Sequence, residues 1–180
     1  MAPTDNDINK AITAIHSSGL NLTDKGTVKD FLGVRLTPAD HSLLLHQPIL
    51  AKEIISDLRL NDNSLPKSTP SDPYKILGPS LSSKPFDNSF NYKSIIEKLL
   101  YLKKGSRPDL SYSVHQCARF SNNPRKEHGE AVRWIGRYLL NTYDKGTMLT
   151  TDKSRGLEIY VDSNFAGDWK ISKSASPKSS

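Results

Sequence analysis

Apolar residues recur at helical spacing from residue 92 onward. Tyr92, Ile95, Ile96, Leu99, Leu100 and Leu102 line one face of a predicted helix. It closes on Lys103-Lys104-Gly105. Cations there suit the helix dipole, and glycine suits a left-handed cap. Pro108 opens a second helix, where its missing N–H costs nothing. Leu110, Val114, Cys117 and Ala118 form that helix's apolar face. Asn123-Pro124 reads as a cap followed by a first-turn proline. The third helix sets Ala131, Ile135, Tyr138 and Leu139 on one side, and Arg133 and Arg137 on another. The joints are short, so the three helices should pack as a small bundle.

Upstream, Ile8, Ala11, Ile12 and Ile15 predict a helix over 7–18 that ends at Gly19. The period then changes. Val28, Leu32, Val34 and Leu36 mostly alternate with Lys29, Gly33 and Arg35, as in a strand. Residues 37–40 read as a turn and 42–47 as a returning strand, which gives a β-hairpin. Gly33 marks a bulge, a close backbone approach by a ligand, or a plain edge glycine. Gln47-Pro48 starts another helix, with Leu50, Ile54, Ile55 and Leu58 on its face, ending near Leu60-Asn61. Residues 62–89 are rich in Pro, Ser, Asp and Lys and lack periodicity, so they read as an irregular linker.

Past Gly146 the chain returns to strands, at 147–150 and 157–164. Leu157, Ile159 and Val161 face one way, and Glu158, Tyr160 and Asp162 the other. A two-stranded hairpin of these segments is marginal in water. Unequal order is therefore expected, with the helices protected and 150–180 labile.

Composition changes this picture in two respects. The single cysteine, Cys117, rules out an intrachain disulfide and a cysteine-based zinc cluster. Its apolar helix face marks it as a packing residue. The chain carries 25 Lys and Arg against 19 Asp and Glu. Residues 91–145 hold 11 of the first group and 5 of the second, so the whole formal +6 sits on the three-helix segment. That points to an anionic partner such as nucleic acid, or to a merely solvated basic face. No apolar run approaches the roughly 18 residues of a membrane span. The first residues are polar, unlike a signal peptide. The expected setting is intracellular, cytoplasmic or nuclear, with no membrane.

Candidate chemistry is sparse. Asp162 ends a hydrophobic strand, where carboxylates reach metal or catalytic sites in α/β folds; the alternative is a capping or surface residue. One carboxylate does not make a divalent-metal site. No pair among His16, His41, His46, His115 and His128 has a zinc-like helical spacing. His115, mid-helix, reads as a packed or hydrogen-bonded residue. Lys103, Lys104, Arg107, Arg125, Lys126, Arg133 and Arg137 could track phosphates, with Trp134 as a stacking face. The other reading is a charged helical surface with Trp134 in the core.

The runs Y-K-S-I-I-E-K-L-L-Y-L, S-R-P-D-L-S-Y-S-V, A-R-F-S-N-N-P, W-I-G-R-Y-L-L-N-T and L-E-I-Y-V-D-S-N-F-A-G-D-W occur in that order. Together they resemble the copia-type retrotransposon polyprotein, at the end of its reverse transcriptase and the start of its ribonuclease H. V-K-D-F-L-G-V is similar to the hairpin after that family's polymerase site. The resemblance implies that Gly33 lies in a primer-grip hairpin. It also implies that the basic helices are the thumb and connection holding a template–primer duplex or RNA–DNA hybrid. Asp162 would be the first of four ribonuclease H carboxylates that bind two Mg2+ ions.

The family's Y-V-D-D metal site would lie upstream of Met1, and the remaining ribonuclease H carboxylates downstream of Ser180. The isolated chain is therefore expected to be inactive and to bind Mg2+ at most weakly. A palm and fingers portion acting in trans is a further partner. A basic binding module without catalysis and a pseudogene product are the alternatives. Glycine is usual in the family at the positions of Glu97 and Asn141, and Glu97 is expected to disturb close helix packing.

The expected fold is an α+β fragment: a β-hairpin, then a thumb/connection-like helical bundle, then one or two strands of an incomplete ribonuclease H-like sheet. The expected divisions are 1–60 (palm end and first thumb helix), 61–90 (linker), 91–145 (basic helices) and 146–180 (start of ribonuclease H).

Overall fold

The computed structural model describes residues 5–150 other than 21, 22, 24, 25, 27, 62 and 80–82. Its elements are α1 (Asp5–Ser17), β1 (Asp30–Phe31), β2 (Val34–Ala39), β3 (Ser42–His46), α2 (Pro48–Asp57), α3 (Tyr92–Gly105), a 3-10 turn (Pro108–Leu110), α4 (Ser111–Ala118), α5 (Lys126–Leu140) and β4 (Gly146–Thr150). The fold is α+β. The strands form one antiparallel sheet in the order β1-β2-β3-β4.

The core lies between α2, α3, α4 and α5. Ile54, Ile95, Leu99, Leu102, Leu110, Val114, Val132, Ile135 and Leu139 are all buried. Each such side chain contributes about 1.5–3 kcal/mol by leaving water. Asn91 caps α3 by accepting from the Ser94 N–H at 3.1 Å, the expected use of asparagine at a helix start. Glu97 is exposed, so it disturbs no helix packing.

Several local expectations are corrected. Residues 28–36 are not one strand. Leu32 and Gly33 turn the chain back at φ 48° and 73°, the left-handed pair of a two-residue hairpin turn. β1 and β2 therefore pair, with Phe31 opposite Val34 and Asp30 opposite Arg35. Thr37, Pro38 and Ala39 belong to β2, and the second turn is Asp40-His41. Pro38 is tolerated because Ala39 and Ser42 close that turn and pairs alternate in bonding. Its ring nitrogen thus faces the side where β1 has already ended.

Gly105 is the last residue of α3 and is not in the left-handed region. It is small for another reason. A Cβ there would stand 2.4 Å from Gln47 Oε1. Gln47, buried before α2, also accepts from the Ser106 hydroxyl at 3.0 Å. The third helix begins at Lys126, after Asn123-Pro124 rather than at it. Pro124 instead accepts from the Phe86 N–H at 3.3 Å.

β4 runs along β3, with Leu45 opposite Thr147 and Leu43 opposite Leu149. The strand expected to pair only with 157–164 thus completes the sheet of the early hairpin. Thr147 also donates to Ser106 O at 3.0 Å, which ties β4 to the end of α3. Residues 157–164 lie outside the described residues.

The segment 63–89 holds no helix or regular strand among its described residues, yet it is fastened to α5. Lys67 N–H donates to Arg137 O at 3.2 Å, and Lys126 N–H to Lys84 O at 2.9 Å. Phe86 packs edge-on to Phe90 at 4.8 Å and to Tyr92 at 5.8 Å. Gly129 makes room for this ring, because a Cβ there would stand 2.4 Å from it.

Candidate nucleic-acid interface

Two elements meet at the Leu32-Gly33 turn. The Tyr101 hydroxyl on α3 donates to Leu32 O. Gly33, beside it, leaves open backbone: the nearest atoms to a would-be Cβ are the Tyr101 hydroxyl oxygen at 3.8 Å and a ring carbon at 4.0 Å. Leu32, Phe31 and Tyr101 are exposed at 73%, 62% and 49%. An apolar, backbone-rich knob therefore projects from the sheet, braced by a helix 69 residues downstream. Lys93, Tyr101 and Lys104 share one face of α3, being separated by eight and three residues. Glu97 lies on the same face. Lys103 and Lys104 close the helix, where the dipole favours cations.

The other candidate cations are differently employed. Arg107 is 2% exposed. Its Nε and Nη2 donate to the two carboxylate oxygens of Asp109, at 2.9 and 2.7 Å. Its Nη1 and Nη2 also reach Thr142 O and Oγ1, at 2.5 and 3.1 Å. This arginine pins the start of the second helical segment to the end of α5 and turns no donor outward. Arg133 donates to Leu58 O at 3.4 Å and to Ser89 Oγ at 3.0 Å, above the Phe90 ring. Arg137 donates to Leu65 O. Lys126 stands 3.9 Å from Glu130. Arg125 precedes α5 and is half-buried. Its N–H donates to His128 Nδ1 at 2.9 Å, so the neutral ring carries its proton on Nε2, beside Gly78 O at 3.1 Å.

Trp134 is neither a free stacking platform nor a fully buried core residue. Its indole N–H donates to Thr69 O at 2.9 Å, and the Lys67 ammonium covers one ring face at 3.8 Å. His115 is exposed rather than packed. Cys117 is buried as expected, and burial pushes its thiol up to about 12. Burial also raises the Tyr92 phenol well above its ordinary value; its hydroxyl donates to Cys117 O at 2.9 Å.

Of the seven candidate cations, Lys103 and Lys104 lie on the helix that braces the Gly33 turn, and Arg107, Arg133 and Arg137 hold the fold together. Arg125 is half-buried, and Lys126 is exposed beside Glu130. Sequence reasoning missed Tyr101, whose only signal was its helical spacing to Lys93 and Lys104. Asp162 lies outside the described residues. Among the described residues no three His, Cys, Asp or Glu side chains gather to hold a metal ion, and no helix is long and apolar enough to cross a membrane.

The chain is similar over most of its length to proteins named for transposons. The chain is 32% identical over 165 residues to the retrovirus-related Pol polyprotein from transposon RE1 of Arabidopsis thaliana, covering 87% of this chain and 11% of that protein. It is 30% identical to the corresponding polyprotein from transposon TNT 1-94 of Nicotiana tabacum, covering 88% and 12%. A putative transposon Ty5-1 protein of Saccharomyces cerevisiae is 27% identical, covering 87% and 49%. The chain thus spans only about a tenth of the two plant polyproteins' length. No family model and no solved structure matches it.

Proposed function

We propose that this chain, similar over most of its length to a segment of copia-type retrotransposon Pol polyproteins, grips a template–primer duplex. The Leu32-Gly33 turn would meet the primer strand, and the basic end of α3 would meet phosphates. The observation that carries this reading is the Tyr101 brace, which joins an exposed, positive-φ turn to the helix bearing Lys103 and Lys104. Exposed backbone and cations position a nucleic acid without reading its bases. The role proposed is grip rather than bond making. Asp162 would add a Mg2+ ligand only alongside carboxylates from elsewhere.

Fluorescence anisotropy with a labelled RNA–DNA hybrid tests the proposal. Binding should weaken steeply as salt rises, because neutralised phosphates release counterions. Two hybrids of unrelated sequence should bind alike. No affinity at low salt, or affinity indifferent to salt, would refute the reading.

A further inference from the structure

We propose that the open pocket between residues 66–68 and the end of α5 binds a phosphate group. The pocket has a volume of about 450 Å³. Lys67 and Lys145 both line it, and no carboxylate does. The neighbouring hollows differ: Glu130 lines the one beside Leu60, and Asp57 the one beside Phe90. Neither Lys67 nor Lys145 forms an ion pair among the described residues. The Lys67 ammonium rests 3.8 Å above the Trp134 ring, on a flexible stem that can carry it to an anion. Ser68 and Asn141, both exposed, add a hydroxyl and an amide to the same lining. Two cations and two neutral donors with no acid among them match a phosphate, whose oxygens only accept.

A helix C-terminus ordinarily repels an anion, because its last carbonyls are unsatisfied. Here they are covered. Arg137 O accepts from the Lys67 N–H at 3.2 Å, and Leu139 O from the Thr142 N–H at 3.0 Å. Tyr138 O accepts from the Thr142 hydroxyl at 2.9 Å, and Thr142 O from Arg107. The nearby carboxylate of Asp109 is matched by Arg107 and by the Tyr138 hydroxyl, which donates to it at 3.0 Å. Asp144, next to Lys145 in the chain, is not part of the lining. The Arg107–Thr142 bond also sets this pocket at the same end of the helices as Lys103 and Lys104. A phosphate could therefore come from a nucleic-acid strand that continues past α3, or from a free phosphate compound.

Inorganic pyrophosphate is the probe, titrated into the full chain at constant ionic strength and followed by amide NMR. The Ser68 and Asn141 signals should shift saturably. Lys67→Gln/Lys145→Gln should weaken this binding at least about threefold, with an unchanged circular dichroism spectrum. Lys103→Gln/Lys104→Gln should leave it unaltered, so the test stands apart from duplex grip at α3. The RNA–DNA hybrid then identifies the source. A lower salt slope in Lys67→Gln/Lys145→Gln would assign the pocket to a phosphate of the bound strand, and an unchanged slope with pyrophosphate still binding the wild type would assign it to a free phosphate. No saturable shift at Ser68 and Asn141 would overturn the proposal. Binding unchanged in Lys67→Gln/Lys145→Gln, or weakened equally by Lys103→Gln/Lys104→Gln, would overturn it too, since general surface charge would then account for it.

Discussion

Arg107 and Asp109, two residues apart, form a paired fork at 2.9 and 2.7 Å whose arginine also reaches Thr142, 35 residues on. The guanidinium is buried while the carboxylate is exposed. Arg107→Ala should therefore cost on the order of 3 kcal/mol, because Thr142 O would lose its donor and Asp109 its counter-charge. Urea denaturation measures this. A loss below about 0.5 kcal/mol, the usual size for a surface substitution, would show that the arginine lies outside the core.

The same pair makes stability depend on acid. Burial alone would raise the Asp109 carboxyl, but the Arg107 hydrogen bonds and charge, with the Tyr138 hydroxyl, outweigh it and hold the group below its ordinary value. A depressed folded value stabilises above the unfolded carboxylate pKa of about 3.9, and the contribution fades as pH falls through the folded value. The wild type should thus be more stable than Asp109→Asn at neutral pH, with the gap closing as pH drops below about 4. A gap that stays constant down to about pH 2 would contradict the ion pair.

Cys117 should be inert in the folded chain. With its thiol pushed up to about 12 by burial, almost no thiolate exists near neutral pH. Iodoacetamide at about pH 8 should label the native protein at least about a hundredfold more slowly than the urea-unfolded chain. Similar rates in the two states would mean that α4 does not cover the thiol.

Gly146 reports on the joining of β4 to the early hairpin. A Cβ there would stand 2.0 Å from Leu45 O, a backbone atom that cannot swing aside. Gly146→Ala should destabilise by about 1–3 kcal/mol, the usual cost of overpacking. It should also speed amide exchange at Met148, which lies opposite Leu44. Unchanged exchange would place β4 on some other partner.

The sequence made some of these features legible and hid others for physical reasons. Helical periodicity located α3 and α5 because their buried faces follow the 3.6-residue repeat, as Ile95, Leu99 and Leu102 show. The Leu32-Gly33 turn was hidden inside an alternating pattern, since a two-residue reversal barely disturbs it. The β3–β4 pairing was illegible because it joins segments about a hundred residues apart with no local signal. Charge counting could not separate Lys104 from Arg107. Both are cations in one basic stretch, and only the R-x-D spacing to Asp109 hinted that Arg107 turns inward.

On the proposed function, duplex grip resides on the α3 end and not on the inward-turned arginines. Hybrid anisotropy on Lys103→Gln/Lys104→Gln, with Arg133→Gln as the comparison, tests it most directly. The double lysine variant should keep its urea midpoint and bind the hybrid several-fold more weakly. Its salt slope should fall by about 0.9 for each phosphate that is no longer neutralised. Arg133→Gln should lower stability while leaving the salt slope unchanged. An unaltered slope in the lysine variant, or a slope reduced by Arg133→Gln instead, would contradict the account.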